Sequence, residues 1–123
     1  MSQDIVADAL NQIMNAKRAR KTEVRIKRSS KFLIEILNLI KKLGYIDYEK
    51  EDREIIVKIK KINEIKAIKP RFTVSIDQID RYVRRFLPAR NFGFIIVSTS
   101  KGLMTQDDAL EKNIGGSLIA YIF

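Results

Sequence analysis

Over residues 2–60 the spacing of the apolar side chains switches repeatedly between two periods, and each switch restricts the chain to one kind of element. Ile5, Val6, Ala9, Leu10, Ile13 and Ala16 recur at three- and four-residue steps, the apolar stripe of an amphipathic helix over residues 2–16. Asp4 and Asp8 stand near its start and Lys17 and Arg18 at its end, the order that complements a helix dipole. The period then falls to two in Thr22–Lys27, where Val24 and Ile26 alternate with Glu23, Arg25 and Lys27 as in a half-buried strand. Helical spacing returns with Leu33, Ile36, Leu37, Ile40 and Leu43, behind Ser29 or Ser30 as a cap and ahead of Gly44 as a stop. Strands at Tyr45–Tyr48 and Ile55–Lys60, joined by the charged turn EKEDR, complete a helix-strand-helix-hairpin order for residues 1–64.

The second half reads differently. NEIKAIKPRF is a crossing segment, because Pro70 holds Lys69 extended and has no N–H to give a central ladder. From Ser75 the pattern S-x-x-Q resembles a capping box, and Ile79, Val83, Phe86 and Leu87 line a short helix that Pro88 closes. Phe94–Val97 is a strand. Thr105 with Asp108 opens another short helix that stops before Gly115 and Gly116, and Leu118–Phe123 form the last strand. No internal repeat, low-complexity tract or flexible linker interrupts the 123 residues. The prediction is an α+β fold of two small, directly packed α/β halves, 1–64 and 65–123, the second with mixed strands and short helices.

Composition removes most catalytic chemistry. With no cysteine and no histidine, disulfides, thiolate nucleophiles, the commonest general base and the commonest zinc ligands are all missing. No apolar run reaches the roughly 18 residues that cross a bilayer, and the acids in MSQDIVADAL stand where a secretory signal would carry bases. A soluble, cytoplasmic protein without cofactor, metal or small-molecule substrate is the expectation.

The net charge of +9 asks for an anionic partner. It is localised: residues 17–31, KRARKTEVRIKRSSK, hold eight bases against one acid, whereas residues 32–64 are neutral. Arg25, Lys27, Ser30 and Lys31 lie in that run, and a second group comprises Lys66, Lys69, Arg71, Arg81, Arg84, Arg85 and Arg90. A merely solvated face is the ordinary alternative, strongest for the three arginines of the short helix. Cations on phosphates would give salt-sensitive, sequence-independent grip. A membrane is disfavoured, since these bases alternate along a strand and line no helix with bulky aromatics opposite.

A sharper feature is IIVSTSKG, residues 95–102, an apolar strand that ends in Ser98, Thr99 and Ser100, then Lys101 and Gly102. Small hydroxyls donate and accept without holding the backbone away from a polar surface. Gly102 would widen that access, Lys101 adds a cation, and Gly115–Gly116 could offer a second close-approach edge. A plain tight turn followed by a helix cap explains the same residues.

The order of the motifs weighs against the plain turn. DIVADALNQIMNA, RSSKFLIEILNLIKKLGYI, AIKPRF, RFLPARNFGFIIVSTSKGLMT and GGSLIAYIF resemble, in order and over almost the whole chain, the small-subunit ribosomal protein number eight family in its archaeal and eukaryotic branch. The resemblance implies two α/β halves and a primary binder of the central domain of small-subunit rRNA, stabilising an irregular helix. It implies that the Ser98, Thr99, Ser100 and Gly102 loop meets RNA, that Asn15 and Lys31 stand at RNA-facing positions, and that proteins five and seventeen of the small subunit are neighbours. Three departures touch the hairpin and the glycine pair: DYEKEDR is short for this branch, Lys66 stands where glycine is usual, and Ser117 where a base is common.

Two other classes fit less well. An enzyme would need a base for the serines, and Lys101 is adjacent in sequence, where extended side chains point apart; Asp107 and Asp108 read more simply as helix-start acids, and no G-x-x-x-x-G-K-[ST] loop is present. A free-standing RNA-binding regulator outside the ribosome shares the composition, and the family pattern alone separates it from a ribosomal role.

Overall fold

The computed structural model describes residues 4–69, 71, 73–89 and 92–123; Ser2 and Gln3 of the expected first helix, together with Pro70, Arg90 and Asn91, lie outside the described residues. The fold is α+β, with helices and antiparallel sheets. It divides into a unit that runs to Lys66 and a unit Ala67–Phe123.

In the first unit, α1 (Ile5–Arg18) starts where the Asp4 carboxylate accepts the Ala7 amide proton at 3.1 Å, satisfying one of the orphan donors of the first turn. It buries Val6, Ala9, Leu10, Ile13 and Ala16. Helix α2 (Lys31–Lys42) is capped by Ser30, whose hydroxyl accepts from Leu33 N–H at 3.1 Å, and buries Leu33, Ile36, Leu37 and Ile40. Each such Leu or Ile contributes about 1.5–3 kcal/mol by leaving water. The helices touch each other and the sheet of β1 (Glu23–Ile26), β2 (Ile46–Glu51) and β3 (Glu54–Ile59), ordered β1-β3-β2. Gly44, at φ +91°, turns the chain out of α2.

The hairpin is longer in strand and shorter in turn than its composition indicates. Glu49, Lys50 and Glu51 continue β2, and the turn shrinks to Asp52 and Arg53, with Asp52 at φ 51°. Cross-strand pairing with β3 holds these charged residues extended, although they bury nothing.

The second unit contains β8 (Gly116–Ile122), β6 (Phe94–Thr99) and β7 (Gly102–Thr105) in the sheet order β8-β6-β7, with β5 (Thr73–Val74) also on β8, while β4 (Ile65–Ala67) spans the boundary between the units. A 3-10 turn at Ile76–Gln78, opened by a Ser75–Gln78 capping box, leads into α3 (Ile79–Phe86), and α4 (Gln106–Glu111) follows β7. Ile79 and Val83 of α3 and Ala109 of α4 close over Val74, Ile95, Val97, Met104 and Leu118. Strands β4 and β7 correct the reading of these stretches as crossing segment and turn, and β5 lies where the sequence pattern assigns no element. Two to four residues are too few for an apolar alternation to register.

Candidate nucleic-acid interface

Strand β6 spends its apolar residues first. Ile95, Ile96 and Val97 are completely buried, Ser98 and Thr99 are half-buried, and Ser100, Lys101 and Gly102 are exposed. Ser98 pairs with Leu103 and Thr99 with Gly102 across β7, so Ser100 and Lys101 form the tip of a tight hairpin. The tip is open to solvent. Gly102 has φ +109°, and a β-carbon there would meet nothing within 4 Å. The positive φ is a backbone reason for glycine here, and the space beside it is open to solvent.

The three hydroxyls are not equivalent. Thr99 Oγ1 donates to Gly102 O at 2.9 Å and accepts from Lys101 N–H at 3.1 Å. Ser98 and Ser100 make no side-chain hydrogen bond among the described residues, which leaves donors and acceptors for a ligand.

Next to Ser98 the sheet brings two residues that sequence reasoning did not place in the site. A bulge between Ile96 and Val97 shifts the β6–β8 register so that Ser98 faces Ser117, and Ser117 faces Thr73. Directly paired residues share a sheet face, and Thr73 Oγ1 lies 3.3 Å from Ser117 Oγ. Ser117 was detectable only as a departure from the family pattern; Thr73 sits in a two-residue strand with no signal of its own.

Gly115 and Gly116 do make close approaches, but to the protein's own backbone. A β-carbon on Gly115 would come within 2.5 Å of Val74 O, and one on Gly116 would overlap Ser98 O. The missing side chains are used by the sheet itself. Lys69 and Arg71 are exposed in the same unit, between β4 and β5. Arg81, Arg84 and Arg85 are exposed on α3, interleaved with Asp77 and Asp80, and Arg85 stacks 5.5 Å over Phe86, the mixed-sign surface of a solvated helix face.

In the first unit a shallow groove of about 630 Å³ between the end of α1 and β1 brings Asn15 and Arg25 together with Gln12, Lys21 and Glu23. Arg25 is not free there: its Nη1 lies 3.1 Å from Glu54 Oε2. Lys27 follows the end of β1, exposed and without an ion pair among the described residues. The Ser30 hydroxyl is occupied as the α2 cap, and Lys31 is the exposed first residue of that helix.

The shifted titrations lie elsewhere. Lys41, 3.1 Å away, and then the Tyr48 N–H hold the Asp47 carboxyl below the usual aspartate range, while burial pushes the Tyr45 phenol up. Among the described residues no three acidic side chains converge on a metal position, and no helix is long and apolar enough to cross a membrane. The arrangement is suited to hydrogen-bonding and charge-pairing with a polyanion.

Residues 4–123 match the family described as ribosomal protein S8. Two curated relatives align over their whole length and the whole of this chain: small ribosomal subunit protein uS8 of Nanoarchaeum equitans, 42% identical, and its counterpart from Archaeoglobus fulgidus, 40% identical.

Proposed function

The chain belongs to the ribosomal protein S8 family, and from that premise we propose that it binds the central domain of small-subunit rRNA, stabilising an irregular helix during assembly. As a member of this family it is a structural constituent of the small ribosomal subunit and not an enzyme. The C-terminal unit carries the reading element. Ser98 and Ser100, with Lys101 and the exposed backbone at Gly102, meet the shallow groove of a folded RNA, where sugars, base edges and phosphates are recognised by shape. Gly115 and Gly116 frame this element by letting β8 lie close to its neighbours, and Lys69 and Arg71 add cations in the same unit. In the N-terminal unit Asn15, Arg25, Lys27, Ser30 and Lys31 supply phosphate contacts that grip without choosing a site. Small-subunit proteins five and seventeen are the neighbours this role entails, in the cytoplasm.

One observation carries the reading: the exposed hairpin tip offers an uncommitted Ser100 hydroxyl, and half-buried Ser98 on the strand leading to it offers another. Replacing both with alanine should lower affinity for an rRNA central-domain fragment about tenfold or more, at about one net hydrogen bond per serine, and leave generic duplex RNA nearly unaffected. Equal losses on the two RNAs would remove the loop's specific role.

A further inference from the structure

Family resemblance treats Ser98, Thr99 and Ser100 alike as RNA-facing, yet Thr99 is committed to the protein at every polar valence but one. A threonine hydroxyl has one proton and two lone pairs. Its proton goes to Gly102 O at 2.9 Å and one lone pair to Lys101 N–H at 3.1 Å, both ordinary hydrogen-bond lengths. The other branch of the side chain is committed as well. The Thr99 methyl lies 3.1 Å from the position a β-carbon on Gly116 would take, so it fills space that the glycine leaves open on β8. Hydroxyl and methyl diverge from one stiff β-carbon; a single rotamer therefore ties the turn to itself and to the neighbouring strand.

Face geometry separates Thr99 further from its neighbour. Successive side chains along a strand point to opposite faces. Ser98 shares a face with Ser117 and Thr73, so Thr99 points the other way.

We infer that Thr99 is the positioning residue of the loop: its hydroxyl across Lys101 and Gly102, and its methyl against Gly116, hold the backbone that presents Ser98 and Ser100. The assignment rests on the reading that this loop meets rRNA. Physically, Thr99 sets the fraction of free protein whose turn is already in the binding shape, and apparent affinity scales with that fraction. The clamp also gives Gly116 a second reason to be glycine, since any side chain would displace both the Ser98 carbonyl and the Thr99 methyl.

Two near-isosteres divide the clamp. Thr99→Val keeps the branched shape and loses the hydroxyl; Thr99→Ser keeps the hydroxyl and loses the methyl. The readouts are amide exchange of Lys101 in the free protein and affinity for the rRNA central-domain fragment. We expect Thr99→Val to speed Lys101 exchange and to weaken rRNA binding roughly tenfold, at about one net hydrogen bond's worth of lost pre-organisation. Thr99→Ser should protect Lys101 and bind within roughly threefold of the parent, the smaller loss of one methyl contact. Weakened binding by Thr99→Val with unchanged Lys101 exchange would make Thr99 a direct contact and overturn the inference, as would parental binding by Thr99→Val. The Ser98→Ala, Ser100→Ala double variant separates the two levels. If it loses rRNA selectivity while Thr99→Val binds normally, the clamp alone falls; if it binds normally, the loop reading beneath the clamp falls with it.

Discussion

The carbonyl oxygen of Ser98 occupies the position that a β-carbon on Gly116 would need. Ser98 follows the apolar part of β6 and Gly116 begins β8, so the two strands lie backbone to backbone beside the exposed hairpin. Gly116→Ala must push backbone against backbone, which no side-chain rotation relieves. We expect a loss of about 1–3 kcal/mol by urea denaturation, together with weakened rRNA binding. Gly44→Ala is the control: it has a positive φ of +91° but open space around it, so it should lose stability and leave rRNA affinity intact. Parental stability in Gly116→Ala would show that β8 can move away from Ser98.

Arg25 and Lys27 are neighbours on the same basic segment, but an ion pair distinguishes them. Arg25 is held 3.1 Å from Glu54, and Lys27 has no such partner among the described residues. A phosphate must compete with Glu54 for Arg25 and need not compete for Lys27. Lys27→Gln should therefore flatten the plot of log affinity against log salt by up to about 0.9, the value of one phosphate contact, on cognate and generic RNA alike. Arg25→Gln should flatten it less. A larger effect from Arg25 would mean that Glu54 releases the guanidinium on binding.

How much of this was legible depends on the length of each element. Helices α1 and α2 bury four or more apolar residues at helical spacing, enough for the pattern to identify them and for Ser30 to be recognised as one of two candidate caps. Strands β5 and β7 have two and four residues; β5 exists through distant pairing with β8, which no local window reports, and β7 through the tight turn back onto β6, in a stretch too short for an alternation to show. The Ser98–Lys101 stretch was visible because an apolar run stops there abruptly. That Ser98 pairs with Ser117 follows from a bulge between Ile96 and Val97, a register event invisible in one strand's sequence.

Acid sensitivity should trace in part to Asp47. Lys41 and the Tyr48 amide depress its carboxyl below the unfolded value, so its stabilising contribution is complete above the unfolded aspartate pKa and disappears as pH falls through the depressed folded one. Asp47→Asn should be less stable than the parent at neutral pH, with the gap closing in strong acid. Added salt should shrink the gap as well, because the Lys41 pair is solvent-exposed. Urea midpoints measured down the acid limb check this, and a gap independent of pH would assign the difference to something other than the charge.

At the end of β6 away from the loop, Gln106 keeps the strand in place from the inside. It is 1% exposed, its Oε1 accepts the Ile95 amide proton at 2.7 Å, and its Nε2 donates to Gly93 O at 3.4 Å. The side chain thus satisfies backbone groups at the start of the strand whose far end is the hairpin. Gln106→Leu preserves volume and removes both bonds, leaving a buried N–H without a partner, at a cost of about 1–3 kcal/mol. Exchange of the Ile95 amide should accelerate in parallel. Because Ser98 to Lys101 keep their own turn bonds and the β7 register, rRNA affinity of the folded variant should stay near the parent's. If affinity falls with stability intact, β6 transmits strain from Gln106 to the hairpin, and the loop is less self-contained than its hydrogen bonds indicate.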